Sequence, residues 1–183
     1  MNYKKTDFKD LIICQPTLFK DSRGYFYESF HAKHFKDNTG IDIDFVQENQ
    51  SLSKYGVVRG LHLQVGDFAQ AKLVRCIFGK ILDVVVDMRQ EEPTFGNYFS
   101  IELSEENHTQ LFIPRGFAHG FSVLSTEAVF SYKCDNYYHK ESEIAVAYND
   151  THFNIDWKIP QKDQILSEKD KNGLAFAKAI KQL

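Results

Sequence analysis

The sequence has little of what builds fibrous, disulfide-rich or nucleic-acid-binding proteins. Its 183 residues include only 4 prolines and 10 glycines, which excludes a collagen-like or linker-rich chain. Three cysteines, Cys14, Cys76 and Cys134, lie roughly sixty residues apart, so neither a disulfide framework nor a CxxC metal knuckle is expected. A formal net charge of -3 gives no broad basic surface, so we expect no nucleic-acid partner.

Long hydrophobic runs are missing as well. No segment approaches the ~20 apolar residues that a membrane-spanning helix needs, and the polar start of the chain contains no apolar signal-peptide region. We therefore expect a protein of the reducing cytoplasm without a membrane partner. The length and the 43% of hydrophobic residues suit one well-packed domain, and we predict a single domain over residues 1–183 with a core barrel at about residues 45–135.

Aromatic residues are abundant, with 16 Phe and 9 Tyr, and they favour strands. Short apolar stretches with strand-type alternation recur about every 8–12 residues, as in β-sandwiches and barrels, and no strand–helix–strand alternation suggests a parallel sheet. Helix is predicted at Leu174–Ile180, and a short one at Ala32–Asp37. The predicted strands are Ile12–Leu18, Tyr25–Phe30, Phe45–Ser53, Val57–Leu63, Lys72–Phe78, Lys80–Met88, Tyr98–Leu103, Gln110–Ile113, Gly120–Leu124 and Ala128–Cys134.

The stretch Lys80–Met88 carries apolar side chains on both faces of a strand, which is typical of an interior strand. Asp83 shares its face with Ile81 and Val85. It lies either in an enclosed place, where its carboxylate needs a partner, or at a rim in contact with water.

Polar residues cluster unusually between Gln47 and Lys72. Alternation puts Arg59, Leu61 and Leu63 on one face of their strand, and His62 and Gln64 on the other. A lone histidine is most often a satisfied core or surface residue. The additional polar residues nearby, including Asn49, favour a functional site.

A second cluster is the turn Ile113–Phe121, in which Pro114, Gly116 and His119 have the spacing P-x-G-x-x-H. This spacing, after a strand that carries a histidine, resembles the two signature motifs of the cupin β-barrels. Metal-binding cupins have H-x-H in the first motif. Here the pair is His62 and Gln64, and glutamine is a poor ligand for transition metals, so we expect the barrel without the metal.

Tyr132, in the stretch Tyr132–Tyr138, shares a strand face with Cys134. A buried phenol needs a hydrogen-bond partner or a chemical role, although many tyrosines simply pack on a sheet with the hydroxyl group in water.

Taken in order, the motifs resemble the dTDP-4-dehydrorhamnose 3,5-epimerase family. The likeness covers about residues 8–175, and after Glu143 the sequence continues Ile144–Ala147 where the family usually has a glycine. The matching segments are Asp21–Glu28, Phe45–Asn49, Gly56–His62, Ala69–Val74, Ile113–Phe121, Tyr132–Tyr138, Glu141–Glu143 and Leu166–Asp170.

The resemblance implies an isomerase that inverts C3 and C5 of dTDP-4-dehydro-6-deoxy-D-glucose, because the C4 ketone acidifies the hydrogens on both neighbouring carbons. By resemblance His62 is the base, Asp170 its carboxylate partner, Tyr132 the acid on the opposite face and Lys72 the cation that stabilises the enolate. The ketone is the electron sink, so no cofactor and no metal are expected.

The resemblance also implies a set of ligand-binding residues. Arginine suits a diphosphate because its guanidinium group binds phosphate oxygens in pairs. We further predict that Asp83 orients His119 by a contact of no more than ~3.5 Å. The implied binding residues are Arg23, Glu28, Gln47, Glu48, Asn49, Arg59, His119, Tyr138, Glu143 and Lys169.

The predicted architecture is an all-β, cupin-like antiparallel jelly-roll barrel with a short C-terminal helical segment. The resemblance implies a homodimer in which N-terminal strands pair across the interface and cover exposed sheet edges. Three alternatives stay open: an epimerase for C3 alone or for another sugar nucleotide, a non-catalytic barrel that binds sugar nucleotides, and a metal-dependent cupin oxygenase.

Overall fold

The computed structural model describes residues 1–183, and its main body is two antiparallel β-sheets that enclose a shared hydrophobic core. The strands are β1 (Asn2–Lys5), β2 (Ile12–Gln15), β3 (Phe19–Asp21), β4 (Gly24–Phe26), β5 (Gln47–Lys54), β6 (Val58–Gln64), β7 (Lys72–Phe78), β8 (Lys80–Asp87), β9 (Tyr98–Ser104), β10 (Gln110–Ile113), β11 (Phe117–Val123), β12 (Glu127–Cys134) and β13 (Glu143–Ala145). The helices are α1 (Ala32–Thr39), α2 (Glu168–Lys171) and α3 (Phe176–Ala179).

One sheet has six strands in the order β1-β2-β10-β7-β12-β5, and the other has five in the order β13-β6-β11-β8-β9. Strands β3 and β4 form a separate hairpin. The ladders between neighbouring strands are antiparallel, which confirms the predicted all-β jelly-roll barrel. Strands β1 and β2 belong to the six-stranded sheet, and β13 belongs to the five-stranded sheet. The sheets therefore include residues on both sides of the predicted core at residues 45–135.

Most predicted strands are present with small differences at their ends. Lys72–Phe78 and Gln110–Ile113 have the observed bounds. The predicted strand Ile12–Leu18 stops at Gln15, because Pro16 has no N–H group with which to continue the ladder. The pattern did not reveal β1, β3 and β13, which are too short or too polar to show alternation.

Strand β8 shows how the core is divided. Val84 and Val86 pack in the cluster on the outer face of the five-stranded sheet, whereas Ile81 and Val85 pack in the cluster between the sheets. β8 lies between β11 and β9, as expected of an interior strand. Asp83 points between the sheets and is completely buried, so the enclosed alternative is correct and the rim alternative is wrong.

The C-terminal part of the chain covers the outer face of the five-stranded sheet. Phe153, Trp157 and Phe176 are buried against it. The chain then returns to the start of β6, where the carbonyl of Ile165 accepts a hydrogen bond from the N–H of Val58 at 2.9 Å. This return brings α2 to the edge of the barrel, and the predicted C-terminal helix follows as the short α3.

A β-bulge in β6 changes which side chains face inward. The pairing of β6 with β11 shifts by one residue between His62 and Arg59. At this point Gly60 of β6 lies very close to Gly120 of β11. A Cβ atom on Gly60, whose φ is +114°, would lie 2.6 Å from the Cα of Gly120. The extra residue turns Arg59 to the inner side with His62, so the predicted common face of Arg59 with Leu61 is wrong.

The N-terminal part packs on the outer face of the six-stranded sheet. Phe35 of α1 is buried there, at the centre of the smallest of the three hydrophobic clusters. In contrast, the β3–β4 hairpin exposes Phe19, Tyr25 and Phe26 by 64%, 56% and 69%. None of the helices is long and apolar enough to cross a membrane.

Candidate active site

A cleft between the two sheets gathers the polar residues that the sequence singles out. Its large lobe is a cavity of about 570 Å³ that includes Arg59 and His119, and its small lobe has about 260 Å³. Residues shared by both lobes lie at their junction, and these are Asn49, His62, Lys72 and Tyr132. The cleft is therefore centred on the residues predicted to do the chemistry.

His62 and Asp170 form a close pair at this junction. The Nε2 atom of His62 lies 2.9 Å from Oδ1 of Asp170. Nε2 is buried, and its approach to the carboxylate is not aligned for a hydrogen bond. Nδ1 is thus the ring nitrogen left for a substrate.

The Asp170 carboxylate is held from several sides. Its Oδ1 accepts the N–H of Gly60 at 3.1 Å, and its Oδ2 accepts the hydroxyl of Ser167 at 2.5 Å. Burial alone would raise the pKa of this carboxyl, but the close contact with His62 and the hydrogen bonds from Ser167 and Gly60 outweigh it and lower the pKa to about 2. Asp170 is therefore ionised at neutral pH.

Tyr132 approaches the cleft from the opposite sheet. It lies on β12 of the six-stranded sheet, whereas His62 lies on β6 of the five-stranded sheet, and both side chains line both lobes. Burial raises the pKa of the Tyr132 phenol, with a further contribution from Cys134. Tyr132 is therefore a protonated group that faces the imidazole across the cleft.

Lys72 lines both lobes together with these two groups, on the strand next to that of Tyr132. It is directly opposite Cys134 in the pairing of β7 with β12, and its Nζ is 5.8 Å from the centre of the Tyr132 ring. No carboxylate lies within 4 Å of this ammonium group. Burial lowers the pKa of Lys72, and the neighbouring Cys134 and Asp83 oppose the effect only in part. A half-buried cation without a carboxylate partner is suited to an incoming anionic atom.

His119 is paired with Asp83, as predicted from the sequence. Its Nε2 is 2.9 Å from Oδ2 of Asp83, while the other oxygen of Asp83 is buried without a partner. Burial lowers the pKa of His119, although Asp83 opposes the effect. His119 is directly opposite His62 in the ladder between β11 and β6.

Glu143, the first residue of β13, lines the small lobe. Its Oε2 accepts the hydroxyl of Tyr138 at 2.8 Å and contacts the ammonium group of Lys169 at 2.5 Å, and its Oε1 is 3.9 Å from Nδ1 of His62. Burial would raise the pKa of Glu143, but Lys169 and Tyr138 outweigh it and hold the pKa below its usual value.

His62, Lys72 and Tyr132 line one cleft, and the chain can now be compared with known proteins. The model of the family described as dTDP-4-dehydrorhamnose 3,5-epimerase matches residues 5–178. The chain belongs to the dTDP-4-dehydrorhamnose 3,5-epimerase family.

Individual relatives are similar over nearly the whole chain. The dTDP-4-dehydrorhamnose 3,5-epimerase of Shigella flexneri is 49% identical over 179 residues, which are 98% of each chain. The crystal structure of the enzyme of that name from Elizabethkingia anophelis NUHP1 is 57% identical, covers 97% of each chain and superimposes with a TM-score of 0.94. The dTDP-6-deoxy-D-glucose-3,5-epimerase of Legionella pneumophila, solved in complex with dTDP-4-keto-L-rhamnose, is 46% identical over 94% of this chain and 90% of that one, with a TM-score of 0.89.

Some residues implied by the epimerase family as ligand contacts are also in the cleft. Gln47 donates to Asn49 at 3.1 Å and accepts the backbone N–H of Tyr138 at 3.1 Å, which ties the loop after β12 to β5. Arg59 lines the large lobe, and its Nε donates to Ser53 at 3.1 Å. Polar side chains of these residues therefore line both lobes.

Three other residues at epimerase family positions are not in the cleft of this chain. Glu48 alternates with Asn49 and points to the outer face of the sheet, where it pairs with Lys133 at 2.8 Å. Arg23 is on the exposed β3–β4 hairpin and pairs with Asp21, and Glu28 is exposed near α1. The chain alone therefore does not bring Arg23 or Glu28 to the epimerase site.

The glutamine that replaces the second cupin histidine has a structural role. Gln64 donates to the carbonyl groups of Phe68 and Tyr137 at 2.9 and 3.2 Å, and it accepts the N–H of His139 at 2.6 Å. It joins two loops at the rim of the small lobe.

Three side chains of types that can bind a metal ion lie close together outside the cleft. Glu28, His31 and His34 place their ligand atoms within 4.8 Å of one another at the start of α1. His31 already accepts the backbone N–H of His34 as the helix cap, so its Nδ1 is occupied.

Sequence reasoning missed two residues of the site. Ser167 holds Asp170, and Gly60 both donates to Asp170 and forms the bulge that turns Arg59 inward. The Ser-x-x-Asp spacing at residues 167–170 is a helix-capping signal that could have drawn attention to Ser167.

Proposed function

We propose that this protein epimerises C3 and C5 of dTDP-4-dehydro-6-deoxy-D-glucose to form dTDP-4-dehydro-L-rhamnose. The observation that carries the proposal is that His62 and Tyr132 lie on opposite sheets and line one cleft, which Lys72 also lines. Inverting a carbon next to a ketone requires a base on one face and an acid on the other, and this cleft offers both.

In the first step His62 removes the proton from C3. Nδ1 takes the proton, and the electron pair of the C–H bond becomes the double bond of an enolate whose negative charge lies on the C4 oxygen. The ionised Asp170, 2.9 Å from Nε2, stabilises the imidazolium that forms. The ketone itself accepts the electron pair, so this chemistry requires no added cofactor.

Lys72 stabilises the enolate, and Tyr132 completes the inversion. The ammonium group of Lys72 has no carboxylate partner in the cleft, so it is free to pair with the C4 oxygen as negative charge develops there. The phenol of Tyr132 then gives its proton to the opposite face of the carbon and is reprotonated from solvent, while the imidazolium of His62 releases its proton to solvent and becomes a base again. The same sequence at C5 gives the second inversion.

His119 supports this chemistry from the next strand. Asp83 holds its Nε2 at 2.9 Å, so the ring is fixed with its other nitrogen available. Because burial lowers the pKa of His119, the ring is neutral at neutral pH and does not compete with Lys72 for the enolate as a second cation. We assign it a substrate-positioning role.

Groups around the two lobes bind the nucleotide in this proposal. Arg59 reaches the diphosphate because a guanidinium group binds phosphate oxygens in pairs. Tyr138 is 53% exposed and offers its ring to the thymine base. Gln47 and Asn49 supply hydrogen bonds to the nucleotide and sugar, and the ion pair of Glu143 with Lys169 connects the small lobe with the large one.

We propose that the working form is a homodimer in which Arg23 and Glu28 complete the site of the partner copy. Two observations support this: both residues lie outside the cleft of their own chain, and the β3–β4 hairpin, which carries Arg23 and precedes Glu28, exposes Phe19, Tyr25 and Phe26. Exposed aromatic side chains and unpaired strand edges are typical of a surface that another chain covers. The expected cytoplasmic location stays a prediction.

The decisive experiment is conversion of dTDP-4-dehydro-6-deoxy-D-glucose in D₂O, with an added reductase to trap the product. We expect L-rhamnose stereochemistry and deuterium at both C3 and C5. Label at C3 alone would favour the alternative of a C3 epimerase, and label at neither carbon would contradict the proposal.

A further inference from the structure

We propose that Ser167 is a positioning residue of the epimerase site, which fixes the Asp170 carboxylate so that Asp170 in turn fixes the imidazole of His62. This inference rests on the proposed function for its kinetic consequences. The contacts that carry it are independent of that function.

Ser167 makes two hydrogen bonds to the same residue. Its hydroxyl donates to Oδ2 of Asp170 at 2.5 Å, and its Oγ accepts the backbone N–H of Asp170 at 3.2 Å. The first bond fixes the rotation of the carboxylate, and the second caps α2 and fixes the backbone that carries it.

The two carboxylate oxygens of Asp170 therefore contact different groups. Oδ2 is used by Ser167, which leaves Oδ1 for the N–H of Gly60 at 3.1 Å and for Nε2 of His62 at 2.9 Å. Asp170 is only 5% exposed, so water cannot easily replace a lost donor. Without the hydroxyl of Ser167 the carboxylate can rotate, and Oδ1 is no longer held against His62.

Orientation of Asp170 matters because it decides which nitrogen of His62 carries the proton. A carboxylate at Nε2 keeps the proton there and leaves a lone pair on Nδ1 for the substrate. When Asp170 rotates, the two tautomers become closer in energy, and a part of the molecules has no base facing the cleft. The loss therefore falls on turnover rather than on substrate binding.

Three substitutions separate the donated bond from the helix cap. Ser167→Ala removes both functions, whereas Ser167→Gly removes the donor but keeps an acceptable cap, since glycine is among the residues preferred at this position. Ser167→Thr keeps the hydroxyl. We expect kcat to fall about tenfold in both the Ala and Gly variants with KM changed less than about twofold, and Thr to restore kcat to within about threefold of the wild type.

The matched control is Ser100→Ala, an exposed serine on β9 whose side chain makes no hydrogen bond. Its kcat should equal that of the wild type. Melting temperatures of all variants show whether a loss of activity is only a loss of fold.

A second readout does not depend on turnover. The ¹⁵N chemical shifts of the His62 ring, assigned by their disappearance in His62→Ala, report which nitrogen carries the proton. We expect one dominant tautomer with the proton on Nε2 in the wild type and the Thr variant, and a mixture in the Ala and Gly variants.

The outcomes are distinguishable. A Gly variant with wild-type kcat and tautomer would reduce Ser167 to a helix cap, and a loss confined to KM would make it a binding residue; either result overturns the inference. If the wild type does not convert the sugar nucleotide, the proposed function fails, while the tautomer measurement still decides whether Ser167 positions His62 through Asp170.

Discussion

His62 and His119 are direct partners in the ladder between β6 and β11, and each imidazole has its own buried carboxylate. Asp170 is 2.9 Å from His62 and Asp83 is 2.9 Å from His119. The two pairs differ in access to the cleft, because the side chain of His62 is 26% exposed and that of His119 only 6%. The more accessible pair suits proton transfer, and the enclosed pair suits a fixed contact.

The first prediction concerns the base. His62→Ala should lower kcat by about 10²–10⁴-fold, because it removes the group that takes the proton and this is the typical contribution of a general base. Affinity for dTDP, measured by calorimetry, should stay within about threefold, since the nucleotide contacts are on other residues. Near-native turnover in this variant would place the base elsewhere.

Tyr132→Phe tests the acid. The substitution keeps the ring and removes only the hydroxyl, so abstraction by His62 on the opposite face can continue. We expect exchange of the C3 hydrogen with D₂O to persist while formation of the inverted product falls by about 10²-fold or more. NMR of the recovered substrate and the product gives both rates, and an equal loss of both would contradict the role of acid.

A subunit-mixing experiment tests the shared site. Arg23→Ala and His62→Ala should each be inactive as pure dimers. After mixed refolding, half of the dimers are hybrids, and in a shared site each hybrid has one intact cleft, so about a quarter of the wild-type activity should return.

If Arg23 served the cleft of its own chain, a hybrid would contain no intact site and mixing would restore nothing. Mixing His62→Ala with Lys72→Ala is the matched control, because both side chains line the same cleft. Those hybrids should stay inactive.

Alternation along strands was enough to predict several elements of the site. It placed His62 and Gln64 on one face of β6, and it placed Asp83 on the same face of β8 as Ile81 and Val85. Alternation left open whether this face is enclosed or at a rim; the structure shows the enclosed position, with His119 as the partner of the carboxylate. These inferences are local, so the sequence contains the information they require.

Non-local features were less accessible. The bulge that turns Arg59 inward depends on the close approach of Gly60 and Gly120, two residues that alternation cannot connect. Asp170 is on the C-terminal segment, and its contact with His62 was predicted only by resemblance because no local pattern places that segment against β6. Glu48 is the opposite case. The family likeness groups it with Asn49 as a ligand contact, but strand alternation puts neighbouring residues on opposite faces, and Glu48 indeed points away from the cleft.

Gly60→Ala tests the glycine contact at the bulge. The added Cβ would lie 2.6 Å from the Cα of Gly120 and 2.7 Å from the carbonyl oxygen of His119, both of them backbone atoms that cannot move aside. Because these contacts add to the cost of a positive φ, we expect the free energy of unfolding, measured by urea denaturation, to fall by about 2–4 kcal/mol.

Gly40→Ala is the matched control for that experiment. Gly40 also has a positive φ, +80°, but nothing lies within 4 Å of its added Cβ. It should therefore lose only the conformational cost of about 1 kcal/mol. Equal losses at the two positions would show that the glycine contact adds nothing to stability.

The last prediction concerns acid stability and the Asp170 carboxylate. Its pKa is lowered to about 2 in the folded protein from an ordinary value of 3.8, so the ionised form stabilises the fold at any pH above about 4. As the pH falls toward 2 the unfolded chain binds the proton more readily than the folded one, and this stabilisation is lost. By linkage its full size is roughly 2.5 kcal/mol, of which about 1 kcal/mol should be lost by pH 3.

Asp170→Asn isolates this group, because asparagine has nearly the same shape and does not titrate. We expect the wild type to lose more stability than the variant between pH 5 and pH 3, by about 1 kcal/mol in urea denaturation at each pH. The other carboxylates contribute equally to both proteins and cancel in the difference. A difference in unfolding free energy that does not change with pH over this range would mean that the carboxylate is not held by His62, Ser167 and Gly60 in solution, and the dyad that carries the proposed chemistry would lose its physical basis.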